Sequence, residues 1–98
     1  MRIRYIVTYD ISDQKRLRRV FRTMKGYGDP LQYSVFQCDL SASERILMVE
    51  ALSAIINQRE DQVMLINIGP AENRGRQSVE TLGRALPQGE IDRIAVIV

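Results

Sequence analysis

The 98-residue chain predicts an α+β sandwich, a single sheet carrying both helices on one face, and three observations lead there. Segments with alternating apolar residues are separated by one amphipathic stretch of helical period and by a second helix announced by a capping box, in the order strand, helix, strand, helix, strand, with two short β-prone pieces behind them. Glycine and proline punctuate the junctions around 26–30 and at 69–70. No internal repeat or low-complexity tract breaks this order, so residues 1–98 read as one domain. A domain of this size buries roughly 65% of the surface of its unfolded chain, enough for a core without cross-links.

Residues 2–9 form the first strand, with Ile3, Tyr5, Val7 and Tyr9 alternating against Arg4, Ile6, Thr8 and Asp10. Ser12 or Asp13 offers a cap for a first helix over 13–25, whose Leu17, Val20, Phe21 and Met24 fall on one stripe. Gly26, Gly28 and Pro30 end it, the glycines by tolerating a left-handed exit. In "LQYSVFQCDL", residues 31–40, Ser34, Phe36, Cys38 and Leu40 share one face and Tyr33, Val35, Gln37 and Asp39 the other. That period fits one strand, or a short strand turning into a longer one. "SASE" at 41–44 is a capping box that opens a second helix over 42–57. "QVMLINI" is a further strand closed by Gly69 and Pro70. Residues 71–78 read as polar loop or a turn of helix, and 79–83 as a short strand. The terminal "IAVIV" is a last strand, by pattern paired within the chain, with exchange into a second copy as the alternative.

The chemistry is narrowed by what the chain lacks. With no histidine and a single cysteine, an internal disulfide, the usual zinc sets and every histidine-based triad are excluded. Cys38, inside a strand, reads as a small buried hydrophobe. Apolar runs are too short to span a membrane and the N-terminus has no signal-like stretch, so a soluble cytoplasmic protein without a membrane partner is expected. Catalysis is left to carboxylates, hydroxyls, lysines, arginines or a hard metal ion.

The net charge of +2 conceals an asymmetry: residues 1–30 hold eight Lys/Arg and three Asp, and residues 31–98 hold six Arg against nine acids. On the first helix Lys15, Arg16, Arg18, Arg19, Arg22 and Lys25 lie off the apolar stripe, with no acidic residue between 14 and 28. Charge runs are usually solvated faces. Here the like charges at i, i+3 and i, i+4 repel without local compensation, which points to an anionic partner, and arginine suits bidentate phosphate contacts.

An aspartate between a strand and a helix is ordinarily a capping or hydrogen-bonding residue. Ser12 and Asp13 are better placed to cap, which leaves Asp10 at the strand's C-terminal end, where such sheets place ligands. One carboxylate is too few for Mg²⁺, which takes one or two together with waters and phosphate oxygens; a homodimer doubles it. Phe21 reads as core, and Tyr9 and Phe36 as core or as lining of a groove.

The stretches "YIVTYDISDQKRLRRVF", "GYGDPLQYSVFQCDLS" and "QVMLINIG" resemble the small CRISPR-associated endonuclease family of the spacer-acquisition machinery, the second of its core families. The likeness is close over residues 2–69 and extends to the remainder in layout; "YDI" before a basic helix, followed by "QYSVF", is its most specific part. It implies a ferredoxin-like βαββαβ sandwich with a hairpin inside 31–40, and a homodimer in which the extra C-terminal strand "IAVIV" pairs with the other protomer's sheet. It implies that Asp10 faces its twofold mate and binds a divalent ion, normally Mg²⁺ with Mn²⁺ as a substitute. The implied activity is metal-dependent cleavage of single-stranded RNA or double-stranded DNA. The implied assembly is a bridge between two dimers of the CRISPR integrase on the DNA to be inserted, with Arg16, Arg18, Arg19 and Arg22 on its backbone. Many members carry a basic residue just before the "QxSVF" motif, where this chain has Pro30 and Leu31 and so offers no cation. The rival readings are a non-catalytic DNA-binding scaffold of the integration complex, a toxin-type messenger-RNA endoribonuclease and, by fold analogy alone, a metabolite-sensing dimer.

Overall fold

The computed structural model describes residues 1–72 and 80–84. The elements follow as β1 (Ile3–Asp10), α1 (Gln14–Lys25), β2 (Asp29–Gln32), β3 (Val35–Leu40), α2 (Ala42–Ile55) and β4 (Gln62–Pro70). The strands form one antiparallel sheet in the order β2-β3-β1-β4, the ferredoxin-like βαββαβ arrangement expected from the resemblance. The expected exchange of "IAVIV" lies outside the described residues.

Register divides the sheet into two faces. Val7 lies opposite Phe36 on β3 and Leu65 on β4, and Tyr9 lies opposite Val63, so these side chains meet the helices. They bury against Val20 and Met24 of α1, part of the stripe read from the sequence, and against Met48 and Leu52 of α2, which the sequence reading did not single out. Cys38 joins this core, and burial pushes its thiol up to about 12, the inert hydrophobe expected. On the opposite face Arg4 is almost wholly buried and grips Asp39 across the β1–β3 pair with two hydrogen bonds of 2.7 and 2.8 Å.

Local chemistry sets the element ends. Asp13, rather than Ser12, caps α1 by accepting from the Arg16 amide at 2.9 Å. The Ser41–Glu44 capping box forms on α2, at 3.2 and 2.8 Å in its two directions. The stretch 31–40 resolves as a hairpin: Gln32 pairs with Val35 around the turn residues Tyr33 and Ser34. The expected left-handed exit from α1 does not occur, because Gly26 has φ −79° and donates its N–H to the Thr23 carbonyl, while Tyr27 and Gly28 donate theirs to the Met24 carbonyl. The glycine that matters is Gly28. A Cβ there would run into the Gln37 carbonyl oxygen and come within 2.5 Å of the Cys38 sulfur, so only glycine lets the chain lie against β3 and start β2. Residues 80–83 are not the expected strand; Gly83 turns the backbone at φ +88° and Leu82 is left exposed.

Both crossovers are fastened together at the end of the sheet where β1 finishes. Asp61, whose side chain is fully buried, accepts from Arg16 Nε at 2.8 Å, Arg16 Nη2 at 3.2 Å, Ser12 N at 3.0 Å, Ser12 Oγ at 3.2 Å and Asn57 N at 2.8 Å. Glu60 adds a second carboxylate to Arg16 at 3.1 Å. Chiefly through Arg16, these donors hold the Asp61 carboxyl well below its usual range. Arg2, followed by the Ser41 amide, likewise holds Glu44 down at about 2.

The packing has two measurable consequences. Gly28→Ala costs about 1–3 kcal/mol by overpacking, measured by urea unfolding, while Gly26→Ala stays within about 1 kcal/mol of wild type; equal losses would contradict the close-approach account. Because the Asp61 and Glu44 pKa values are lower folded than unfolded, their stabilisation is complete above the ordinary values of 3.8 and 4.5 and is lost as pH falls, through about 2 for Glu44 and lower still for Asp61. The thermal midpoint therefore drops through that acid window. Asp61→Asn removes part of the drop and lowers the midpoint by several degrees at neutral pH; an unchanged acid profile would show the clamp to be inert.

Candidate nucleic-acid interface and catalytic carboxylate

Asp10 is the last residue of β1 and lies opposite Gln62 of β4. Strand alternation turns Tyr9 into the core and places Asp10 on the helix-free side. Asp10 is exposed, and no hydrogen bond or ion pair engages it among the described residues. The capping role is already filled by Asp13, and Ser12 is bonded to Asp61. What remains is a carboxylate held on a rigid sheet end with both oxygens open.

Among the described residues no group of three or more His, Cys, Asp or Glu stands together as a metal set. One protomer thus presents a single acidic ligand, short of what Mg²⁺ usually takes unless a second copy or phosphate oxygens complete it. On the same side of the sheet Thr8 lies opposite Met64 and Ile6 opposite Ile66, and Met64 and Ile66 are exposed. The outer edge of β4 has no strand partner among the described residues.

The four arginines expected at a phosphate surface divide in two. Arg18, Arg19 and Arg22 are exposed along α1, and among the described residues no ion pair engages them. Arg16 is turned into the clamp with Asp61 and Glu60. The absence of acids between 14 and 28 did not reveal this, because the neutralising carboxylate is 45 residues further on. Pro30 and Leu31 lie half-buried in β2, where they bring no cation to the surface.

The aromatic residues near Asp10 are packed rather than titrating. Tyr9 stacks on Phe36 at a centroid distance of 6.2 Å, and Phe21 meets Phe36 edge-on at 5.6 Å. Burial pushes the Tyr9 phenol up to about 12, so it stays protonated at neutral pH. Its hydroxyl donates to the Tyr33 carbonyl oxygen at 3.5 Å. Tyr33 itself, which the alternation assigned only to a strand face, is an exposed turn residue beside α1.

The family model described as CRISPR associated protein Cas2 matches residues 1–75, which include Asp10 and the arginines of α1. The chain is 47% identical over 94 residues to a CRISPR-associated endoribonuclease Cas2 of Geobacter sulfurreducens, covering 96% of each chain. It is 46% identical over 94 residues to another of Rhodospirillum rubrum, covering 96% of this chain and 89% of the relative. Among solved structures it is similar to Streptococcus pyogenes Cas2 at pH 6.5, with a TM-score of 0.71 and 34% identity over 82% of this chain and 99% of that one. The open carboxylate at the end of β1, the basic helix after it and these likenesses converge: the chain belongs to the CRISPR-associated protein Cas2 family.

Proposed function

We propose that the chain acts as a homodimeric, metal-dependent endonuclease that binds RNA or DNA along Arg18, Arg19 and Arg22 and cuts phosphodiester bonds at paired Asp10 carboxylates. The observation that carries this reading is Asp10 itself, exposed and unpartnered at the end of β1, together with the helix that follows it in the chain, whose three arginines have no ion pair among the described residues. Left without ion pairs among the described residues, neither that carboxylate nor these guanidinium groups contributes one to the fold. Together they suit a divalent ion brought in with a phosphate. The names of the relatives, CRISPR-associated endoribonucleases, favour RNA among the substrates.

Pairing of two copies through the helix-free face is supported by Ile6, Met64 and Ile66, which put apolar surface on Asp10's side of the sheet. Mg²⁺ or Mn²⁺, when bound, supplies a Lewis acid that polarises the phosphate and acidifies a water. The protein's part is positional. Asp10 holds the ion at a sheet end that the Asp61 clamp keeps in register, and the arginines align the strand by bidentate phosphate contacts. Arg16 is left out of that surface because its guanidinium is committed to Asp61. Among the described residues no helix is long and apolar enough to cross a membrane, and we place the protein in the cytoplasm with its nucleic acid.

A second role is favoured by a specific feature. Pro30 and Leu31 bring no cation to β2, whereas Arg18, Arg19 and Arg22 of α1 are exposed and without ion pairs among the described residues. Bridging of CRISPR integrase dimers on DNA during spacer acquisition needs only that surface and the dimer.

Asp10→Asn lowers Mg²⁺-dependent cleavage of a labelled single-stranded RNA at least about a hundredfold, without moving the thermal midpoint by more than a degree or two. Cleavage at the wild-type rate by nuclease-free Asp10→Asn protein would end the hydrolytic reading, and spacer insertion surviving in that variant would leave the bridging one. Replacing Arg18, Arg19 and Arg22 by Ala flattens the slope of log affinity against log salt by roughly 0.7–0.9 for each phosphate no longer neutralised. Arg16→Ala instead destabilises the fold and leaves the slope of the folded protein unchanged; the reverse pattern would move the interface.

A further inference from the structure

A hollow between the end of β1, α1 and the β2–β3 turn adjoins the arginines used in the function proposed above, which gives its apolar wall no role. It is lined by Tyr9, Leu17, Arg18, Phe21, Arg22 and Tyr33 and encloses about 230 Å³. Its wall is almost wholly carbon, so Arg18 and Arg22 contribute their methylene stems and keep their charged heads towards water. The aromatic floor is braced: Phe36 lies between Phe21, edge-on at 5.6 Å, and Tyr9, stacked at 6.2 Å. The bond from the Tyr9 hydroxyl to the Tyr33 carbonyl ties the turn to that floor, yet the Tyr33 residue is 73% exposed.

Size and charge narrow the occupant. Sites for small molecules commonly enclose about 300–1,000 Å³, so this hollow is suited to a single planar ring system and not to a whole nucleotide. Arg18 and Arg22 stand one helical turn apart without an ion pair among the described residues, which suits a ring attached to phosphates on the outside. Tyr9 directly precedes Asp10, so the hollow and the carboxylate share one end of β1, on its two sides.

We infer that the hollow walled by Tyr9, Leu17, Phe21 and Tyr33 receives one unpaired nucleobase of a strand whose phosphates lie on Arg18 and Arg22. The inference rests on the nucleic-acid reading above and deepens it. A strand with a free base is preferred to continuous duplex, because a paired base must first be unstacked before it can enter.

Tyr33 is the wall residue to vary, since only its backbone carbonyl is hydrogen-bonded and its ring is exposed. Affinities of the wild type, Tyr33→Ala and Tyr33→Phe are measured by fluorescence anisotropy in chelator. The probes are a short single-stranded RNA, the duplex of the same sequence, and the single strand carrying 2-aminopurine. Tyr33→Ala weakens single-strand binding roughly 5- to 150-fold, Tyr33→Phe stays within about twofold, and duplex binding is unchanged. The 2-aminopurine signal is quenched by the wild type and Tyr33→Phe and not by Tyr33→Ala. Single-strand affinity indifferent to Tyr33→Ala, or equal losses on single strand and duplex, overturns the base pocket and leaves the arginine surface standing. Failure of the wild type to bind either form removes the nucleic-acid reading and the pocket with it.

Discussion

The buried Asp61 carboxylate is the constraint on which the working end of the molecule depends. A carboxylate removed from water is costly unless donors surround it, and here five N–H and O–H groups from Ser12, Arg16 and Asn57 do so. Those donors come from the β1–α1 junction, the first turn of α1 and the start of the α2–β4 connection, so one anion locks the two crossovers to each other. Asp10 sits between them, two residues before Ser12 on one side and opposite Gln62 on the other. Its position is set by a hydrogen-bonded frame rather than by any bond of its own.

The same clamp sorts the charge of α1. By drawing Arg16 inward it neutralises one cation of the helix's first turn and leaves Arg18, Arg19 and Arg22 outward alongside Lys15 and Lys25. Part of the tolerance for so basic a helix is local: Arg22 and Lys25 lie in the last turn, where the helix dipole favours positive charge, and Lys25 stands 5.6 Å over the Phe21 ring. Arg18 and Arg19 have neither benefit. They are the residues whose placement is hardest to explain without an anion.

Strand alternation then assigns neighbouring residues to different tasks. Tyr9 completes an aromatic cluster beneath the helices, while Asp10, the next residue, faces the side that carries Ile6, Met64 and Ile66. A shift of one residue in the β1–β4 register would bury the carboxylate and expose the ring. The apolar stripe of α1, the Gly28 close approach and the hairpin all oppose that shift, so the site inherits its geometry from the core.

Much of this was legible in the sequence because it depends on residues a few positions apart. The stripe Leu17, Val20, Phe21 and Met24, the Ser41–Glu44 box, the alternation of β1 and the likeness centred on "YDI" and "QYSVF" are local patterns, and each appears in the fold where the period placed it. Local patterns also singled out Asp10, since better caps follow it at once. They were silent where sequence distance is large: on the partner of Arg16, 45 residues away, on the β3 backbone that makes Gly28 obligatory, and on the hollow that joins β1, α1 and the Tyr33 turn. Propensity and capping energies act within about four residues, whereas a clamp or a cavity exists only once register and packing have brought separate segments together. The sequence by itself therefore determined which elements form and which residues carry charge, and the tertiary structure alone decided which of those charges face each other and which are left for a ligand.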